Sequence, residues 1–276
     1  MSDKYLTKIA ALLRKAETTD NEHEADAFLQ AAQRLATLSS VDLAVARAHS
    51  TAKETRAVPI QRAITIGEAG KRGLRTFVQL FLEIGRANNL TCDIARDSTR
   101  VYAYGFDTDI DAVEALYSSL VIQMVRASDE YIKSKRYTAE MIGRWVESAE
   151  VDPRRRRPQY EWQEKPVHAT TARVNFQQAF ASRIGARLKE ATVAAQQQAV
   201  ADDVSGATGV EIVLRAKEVE LRDHYKSNST ARGHWRGTSA NSGYSELARK
   251  AGDRAGRSAR LGGEKAIGGQ RPAING

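Results

Sequence analysis

The order of hydrophobic periods between residues 74 and 124 constrains the fold of this chain more than any other feature. Leu74, Phe77, Val78, Phe81 and Ile84 recur at helical spacing, and the pattern stops at the polar pair Asn88-Asn89. Two β-prone runs follow, Leu90 to Arg96 and Arg100 to Phe106, joined by Asp97-Ser98-Thr99 as a tight connection. Val113, Leu116, Tyr117, Leu120, Val121 and Met124 then restore the helical period, with Thr108 and Asp111 at N-cap spacing. Helix, hairpin, helix predicts helices packed on a small antiparallel sheet, with Tyr102 and Tyr104 on one strand face. The expected fold class is mainly helical α+β.

Upstream, Leu6, Ile9, Leu12, Leu13 and Ala16 form one helical stripe, and Ala25, Phe28, Leu29, Ala32, Leu35 and Ala36 form a second. Thr18-Thr19-Asp20-Asn21 separates them, and Thr19 with Glu22 has capping-box spacing. A third short helix is expected from Ser40 to His49, so residues 1–50 read as a helical N-terminal domain, a small bundle. Residues 50–56 are a polar linker. Val58, Ile60, Ile64 and Ile66 around Pro59 predict an extended stretch, punctuated by Gly67, Gly70 and Gly73, that opens an α+β domain over 57–147 with its β-hairpin at 90–106. A length of 276 residues exceeds what one compact core usually absorbs, which predicts two or three modules.

Pro153, Pro158 and Pro166 bracket Arg154 to Arg157, so 148–170 reads as an exposed basic Pro/Arg loop. Within 171–225, Phe176, Phe180, Ile184 and Leu188 recur every fourth residue and predict a long amphipathic helix; Val210 to Tyr225 reads either as a strand entering a helix or as one helix. Residues 226–276 form a basic Gly/Ala/Arg-rich tail. Ten Lys/Arg against three acids there account for nearly all of the chain's net charge of +8, so the tail is expected to attract polyanions and to be mobile unless bound. Ala248, Ala251, Gly252, Ala255, Gly256 and Ala259 have the small-residue spacing that lets a helix approach a partner closely.

No motif supplies a catalytic centre. Asp107, Asp109 and Asp111 imitate the start of a calcium loop, but Ala112 stands where glycine is required and Ser118 where the closing glutamate belongs, so helix capping is the expected role. His23-Glu24 begins a zinc-protease motif that Ala27 fails to complete, and His49, His168, His224 and His234 have no ligand spacing. Gly67, Gly70 and Gly73 lack the Lys-Ser/Thr pair of a phosphate loop, and no nucleophile-elbow signature occurs. Cys92, the only cysteine, reads as a small buried strand residue and excludes a disulfide scaffold. The opening residues lack a secretory pattern, and no run approaches the roughly 18 apolar residues of a membrane span. The expectation is a cytoplasmic, non-catalytic binding protein without cofactor or metal.

Aromatic and arginine anchors dominate binding hot spots, which makes Tyr102, Tyr104, Arg154, Arg155, Arg156, Arg157, Trp235 and Arg236 the partner-binding candidates. Sheet packing accounts for the two tyrosines as well. The arginine run with Trp235 and Tyr244 suits a single-stranded nucleic-acid site, which clamps phosphates and stacks bases; a solvated charge run or docking on an acidic protein face accounts for it equally.

The stretch Lys8-Ile9-Ala10-Ala11-Leu12-Leu13-Arg14-Lys15-Ala16-Glu17, continuing through Asp20-Asn21 to His23-Glu24-Ala25, resembles the opening of domain-of-unknown-function family number 2786 of actinobacteria and their phages. Val101 to Asp107 with Glu114 to Leu120 resembles the domain that follows it in such proteins, and Gly243-Tyr244 through Gly262 is similar to their tails. Thr19-Asp20-Asn21, Val41-Asp42-Leu43-Ala44 and Gly73 to Leu80 extend the similarity to recombination directionality factors, which partner large serine integrases in Streptomyces temperate phages. The resemblance implies a non-catalytic accessory protein in the bacterial host cytoplasm. It would bind the integrase, with attachment-site DNA in the complex, and favour excision (attL × attR) over integration (attP × attB). The alternative from the residues themselves is a DNA- or RNA-binding protein that uses the basic tail.

Overall fold

The computed structural model describes residues 2–18, 22–49, 57–71, 73–147, 160–203, 209–235, 237 and 243–259. In chain order these form α1 (Ser2–Thr18), α2 (Glu22–His49), β1 (Ile60–Thr65), α3 (Leu74–Ala87), β2 (Thr91–Ile94), β3 (Arg100–Gly105), α4 (Asp107–Lys133), a 3-10 turn (Arg136–Ala139), β4 (Met141–Glu147), β5 (Tyr160–Pro166), α5 (Ala169–Asp202), α6 (Val210–Asn228) and α7 (Glu246–Arg257). The fold is mainly helical α+β.

The expected hairpin is present, and β1 adds to its other side, giving an antiparallel sheet of order β1-β3-β2 with β3 in the centre. Alternation along β3 gives the sheet its two layers. Val101 and Ala103 point into the main core with Val78, Phe81 and Ile84 of α3 and Val113, Leu116 and Leu120 of α4. Tyr102 and Tyr104 take the opposite face, where α6 lies: the Tyr104 ring meets Tyr225 edge-on at 5.0 Å. Thus Val210 to Tyr225 is one helix, and it covers the outer side of the sheet.

The main core is continuous with the N-terminal helices. Ile9 and Leu13 of α1 and Ala32 and Ala36 of α2 join the cluster that holds α3, α4 and Phe180, Ile184 and Leu188 of α5. α1 and α2 pack on each other, and the same buried residues also meet distant segments in one core, which the stripes alone do not reveal. Each fully buried Leu, Ile or Phe contributes about 1.5–3 kcal/mol to holding these elements together. The separate third helix expected from Ser40 is the end of α2, for no Gly or Pro interrupts 22–49. Thr19 and the 50–56 linker lie outside the described residues.

Buried polar contacts fix how α5 threads this core. Gln33 Nε2 donates to Asn88 Oδ1 at 2.8 Å and to Thr192 Oγ1 at 2.9 Å, and the Thr192 hydroxyl donates to the Ala87 carbonyl at 3.0 Å. A second chain runs from the Thr76 hydroxyl to Gln177 Oε1 at 2.6 Å and from Gln177 Nε2 to Ser128 Oγ at 3.0 Å. Sliding α5 by one turn would strand these groups without partners, at about 1–3 kcal/mol each.

The basic tail holds a helix. Ala248 and Gly252 of α7 are buried against α5, and a Cβ on Gly252 would lie 2.1 Å from the Phe176 carbonyl oxygen, so only glycine permits this approach. The small-residue spacing therefore serves packing within the chain. Composition predicts mobility because it counts apolar bulk, whereas here close backbone contact replaces bulk.

Candidate functional site

Residues 148–170 were expected to be loop, yet Tyr160–Pro166 is strand β5, paired with β4 in a separate two-stranded ribbon. The register sets Met141 opposite Pro166, Gly143 opposite Glu164, Trp145 opposite Trp162 and Glu147 opposite Tyr160. Directly opposed residues share a face, so one face of the ribbon collects Met141, Trp145, Trp162 and Tyr160 together with Glu147 and Glu164. The two indoles meet edge to face with centroids 5.5 Å apart. Gly143 has no side chain to keep Trp162 off the strand; a Cβ there would fall 1.9 Å from the indole.

This face is open. Trp145 is 66% exposed, Tyr160 57%, Trp162 54% and Met141 52%. Soluble proteins seldom leave several large apolar side chains together in water unless something covers them. A two-stranded ribbon is marginal alone, and among the described residues this one is anchored at its base. There Ile142 packs with Val167, Ala172, Phe176 and Ala248, and the Val167 N–H donates to the Glu140 carbonyl at 2.9 Å. Arg154, Arg155, Arg156 and Arg157 belong to the connection between β4 and β5 and lie outside the described residues, as does Arg236.

The other candidates are placed differently. Tyr104 is 1% exposed beneath α6, which removes it from any surface. Its burial, with Asp93 nearby, pushes its phenol up to about 12. Tyr102 on the same face is half-buried and lines a shallow depression with Arg96 and Arg100. Trp235 packs partly buried on the main core and its indole N–H points to Ser98 Oγ at 3.4 Å, so it secures the stretch after α6. The sequence reasoning missed Trp145, Tyr160 and Trp162. The alternation Gly143-x-Trp145 and Tyr160-x-Trp162 on either side of the Pro/Arg stretch was the available signal.

The three aspartates of the calcium-like motif are divided between two cations. Arg62 of β1 pairs with Asp107, with Asp111 at 2.7 Å and with Glu114 at 2.6 Å, while Lys217 of α6 pairs with Asp109 at 2.6 Å. Capping by the Thr108–Asp111 pair does not occur, because Phe106 is the N-cap of α4 and makes no side-chain bond. Asp107 and Asp109 still face the positive end of the helix. Among the described residues, no group of three His, Cys, Asp or Glu is arranged to hold a metal ion. Cys92 is in β2, and burial pushes its thiol up to about 12, far from a reactive thiolate. His168 caps α5, accepting the Thr170 N–H at 3.2 Å. No helix among the described residues is long and apolar enough to cross a membrane.

Compared with known proteins, residues 4–43 match the family described as Protein of unknown function (DUF2786), a span that covers α1 and most of α2. No curated protein and no solved structure matches the chain.

Proposed function

We propose that this protein is a non-catalytic directionality factor of a phage serine integrase, acting in the bacterial host cytoplasm, and that it docks through the aromatic face of the β4–β5 ribbon. The observation that carries the reading is the exposed Trp145–Trp162 pair with Tyr160 beside it. Trp, Tyr and Arg are the residues on which protein interfaces concentrate binding energy, and four arginines lie in the connection between the two strands. The match of residues 4–43 to a family without assigned chemistry is compatible with this reading and does not specify it.

The mechanism required is a shift of populations. A factor that bound every integrase arrangement equally would switch nothing; moving a synapse from about 1:99 to 99:1 takes roughly a 10⁴-fold preference for one arrangement. A ribbon fixed at its base and open along one face suits such discrimination, because it engages only where a partner offers a matching apolar groove.

The experiment incubates the purified protein with the serine integrase encoded in the same genome. Products are scored on plasmids carrying attL × attR and attP × attB. Excision that rises while integration falls supports the reading. If neither reaction changes and the two proteins do not co-elute, the reading is wrong.

A further inference from the structure

A second surface, distinct from the ribbon, is lined by cations drawn from three helices. Arg34 of α2, Arg183 and Arg187 of α5 and Arg257 of α7 border a cleft of about 620 Å³, with Glu190 as its one carboxylate. A groove of about 670 Å³ shares Arg183 and Arg257 with it and adds Arg249, Lys250, Arg254 and Tyr244, with Glu246 and Asp253 as acids. Seven cations thus face three carboxylates along one continuous path. Two of the three acids are already engaged locally: Asp253 accepts from Arg183 at 2.6 Å and Arg257 at 3.0 Å, and Glu246 from Lys250 at 2.6 Å. Arg183 makes its bond through Nε, one of the five N–H donors of a guanidinium.

We propose that this α2–α5–α7 path binds the phosphodiester backbone of nucleic acid. Six of the seven cations are arginines, whose planar fork matches phosphate oxygens two at a time. The path is a concave groove, a shape that fits a strand of backbone better than the flat surface of a lipid bilayer. At one end the exposed Tyr244 ring carries the Arg249 guanidinium 5.6 Å from its centroid, a platform on which a base or sugar can rest. Docking of α7 assembles the site, for without the Gly252 contact the four cations on α7 would leave Arg34, Arg183 and Arg187. This differs from binding by a basic tail alone, since α2 and α5 supply Arg34, Arg183 and Arg187. It also does not depend on the integrase reading, because it requires no integrase.

The test measures fluorescence anisotropy of labelled duplex and single-stranded DNA with the full chain, between about 50 and 200 mM salt. The path predicts binding that weakens with salt, and the arm with the tighter binding identifies the form recognised. Replacing Arg34, Arg249 and Arg254 together by Gln should weaken binding at least about tenfold and lower the salt slope by about three. Circular dichroism melting monitors whether the variant remains folded, and Arg34→Gln alone serves as a milder second variant expected to lower the slope by about one. A control that removes equal charge elsewhere, the exposed Lys71, Arg215 and Arg222 to Gln, should leave the affinity within about threefold. Absence of binding at low salt, an equal loss in the control, or tighter association with phosphatidylserine vesicles than with DNA each overturns the proposal.

Discussion

Glu140 caps a helix more than one hundred residues away in the chain: its carboxylate accepts the Ser245 hydroxyl at 2.6 Å. The same group accepts the Glu246 N–H at 2.7 Å and the Leu247 N–H at 3.2 Å, while Ser245 Oγ accepts the Ala248 N–H at 3.2 Å. These bonds meet donors that the first turn of α7 would otherwise leave unmet, and they put a negative charge at the positive end of its dipole. Since Glu140 also precedes β4, one residue joins the base of the aromatic ribbon to the helix that completes the basic path. Glu140→Ala should release α7 at a cost of about 1–3 kcal/mol. Hydrogen exchange is the check: amides of 246–257 should lose protection while those of α3 keep theirs. Unchanged protection of α7 would contradict the assigned role.

Gly252 makes a complementary prediction from packing. A methyl group at this position meets the Phe176 carbonyl oxygen and Cα, backbone atoms that cannot swing away. Gly252→Ala should therefore destabilise docking by about 1–3 kcal/mol, although alanine is the better helix former by about 1 kcal/mol. If the variant melts at or above the parent temperature, helix propensity outweighs the clash and α7 is not seated as closely as described.

The buried pair Lys217–Asp109 joins α6 to α4, both side chains being 6% exposed, with Ser40 also accepting from the ammonium and the Phe106 ring 5.0 Å away. Removing one partner leaves a charge in a closed site. Lys217→Met should cost about 3–5 kcal/mol, whereas Lys217→Met combined with Asp109→Leu should recover most of it. Urea unfolding of both variants decides the matter. A single variant as stable as the parent would mean that the ammonium is not needed to compensate Asp109.

High pH should unfold the protein through its tyrosines. Burial raises the Tyr104 phenol to about 12, with Asp93 adding to the shift, and burial also raises that of Tyr117. In the unfolded chain such phenols ionise near about 10. The folded state holds the neutral form, so the stability it contributes is fully present below pH 10 and is lost as pH climbs from 10 to about 12. Melting temperature followed across that window should fall more gently in Tyr104→Phe than in the parent. Identical slopes would place the alkaline transition elsewhere.

The periods at 74–84 and 113–124 made the helix-hairpin-helix core legible because each stripe there faces a neighbour close in sequence. Legibility ended where partners are distant. The stripe of α1 and α2 gives no hint that Ile9 and Ala32 share a core with Ile184. The ribbon escaped because Trp145 and Trp162 alternate across a stretch whose prolines and arginines speak for loop, and because its apolar face points outward. Arg34, Arg183 and Arg187 carry no motif at all; only the crossing of α2, α5 and α7 brings them to one cleft.

The ribbon itself offers the sharpest separation of stability from function. Trp145 and Trp162 are more than half exposed and bury little against the rest of the chain, so replacing them removes few native contacts. Trp145→Ala with Trp162→Ala should shift unfolding by no more than about 1 kcal/mol, most of it the lost edge-to-face contact. In an interface the same indoles would be desolvated, and truncating hot-spot residues typically costs 2 kcal/mol or more each, a loss of affinity of roughly thirtyfold or greater. Calorimetric melting paired with integrase binding reads both quantities on one sample. A variant with a parental melt and lost integrase binding assigns the aromatic face to the partner. If both are parental, the ribbon is excluded as the docking surface, and any integrase contact then has to lie on another face.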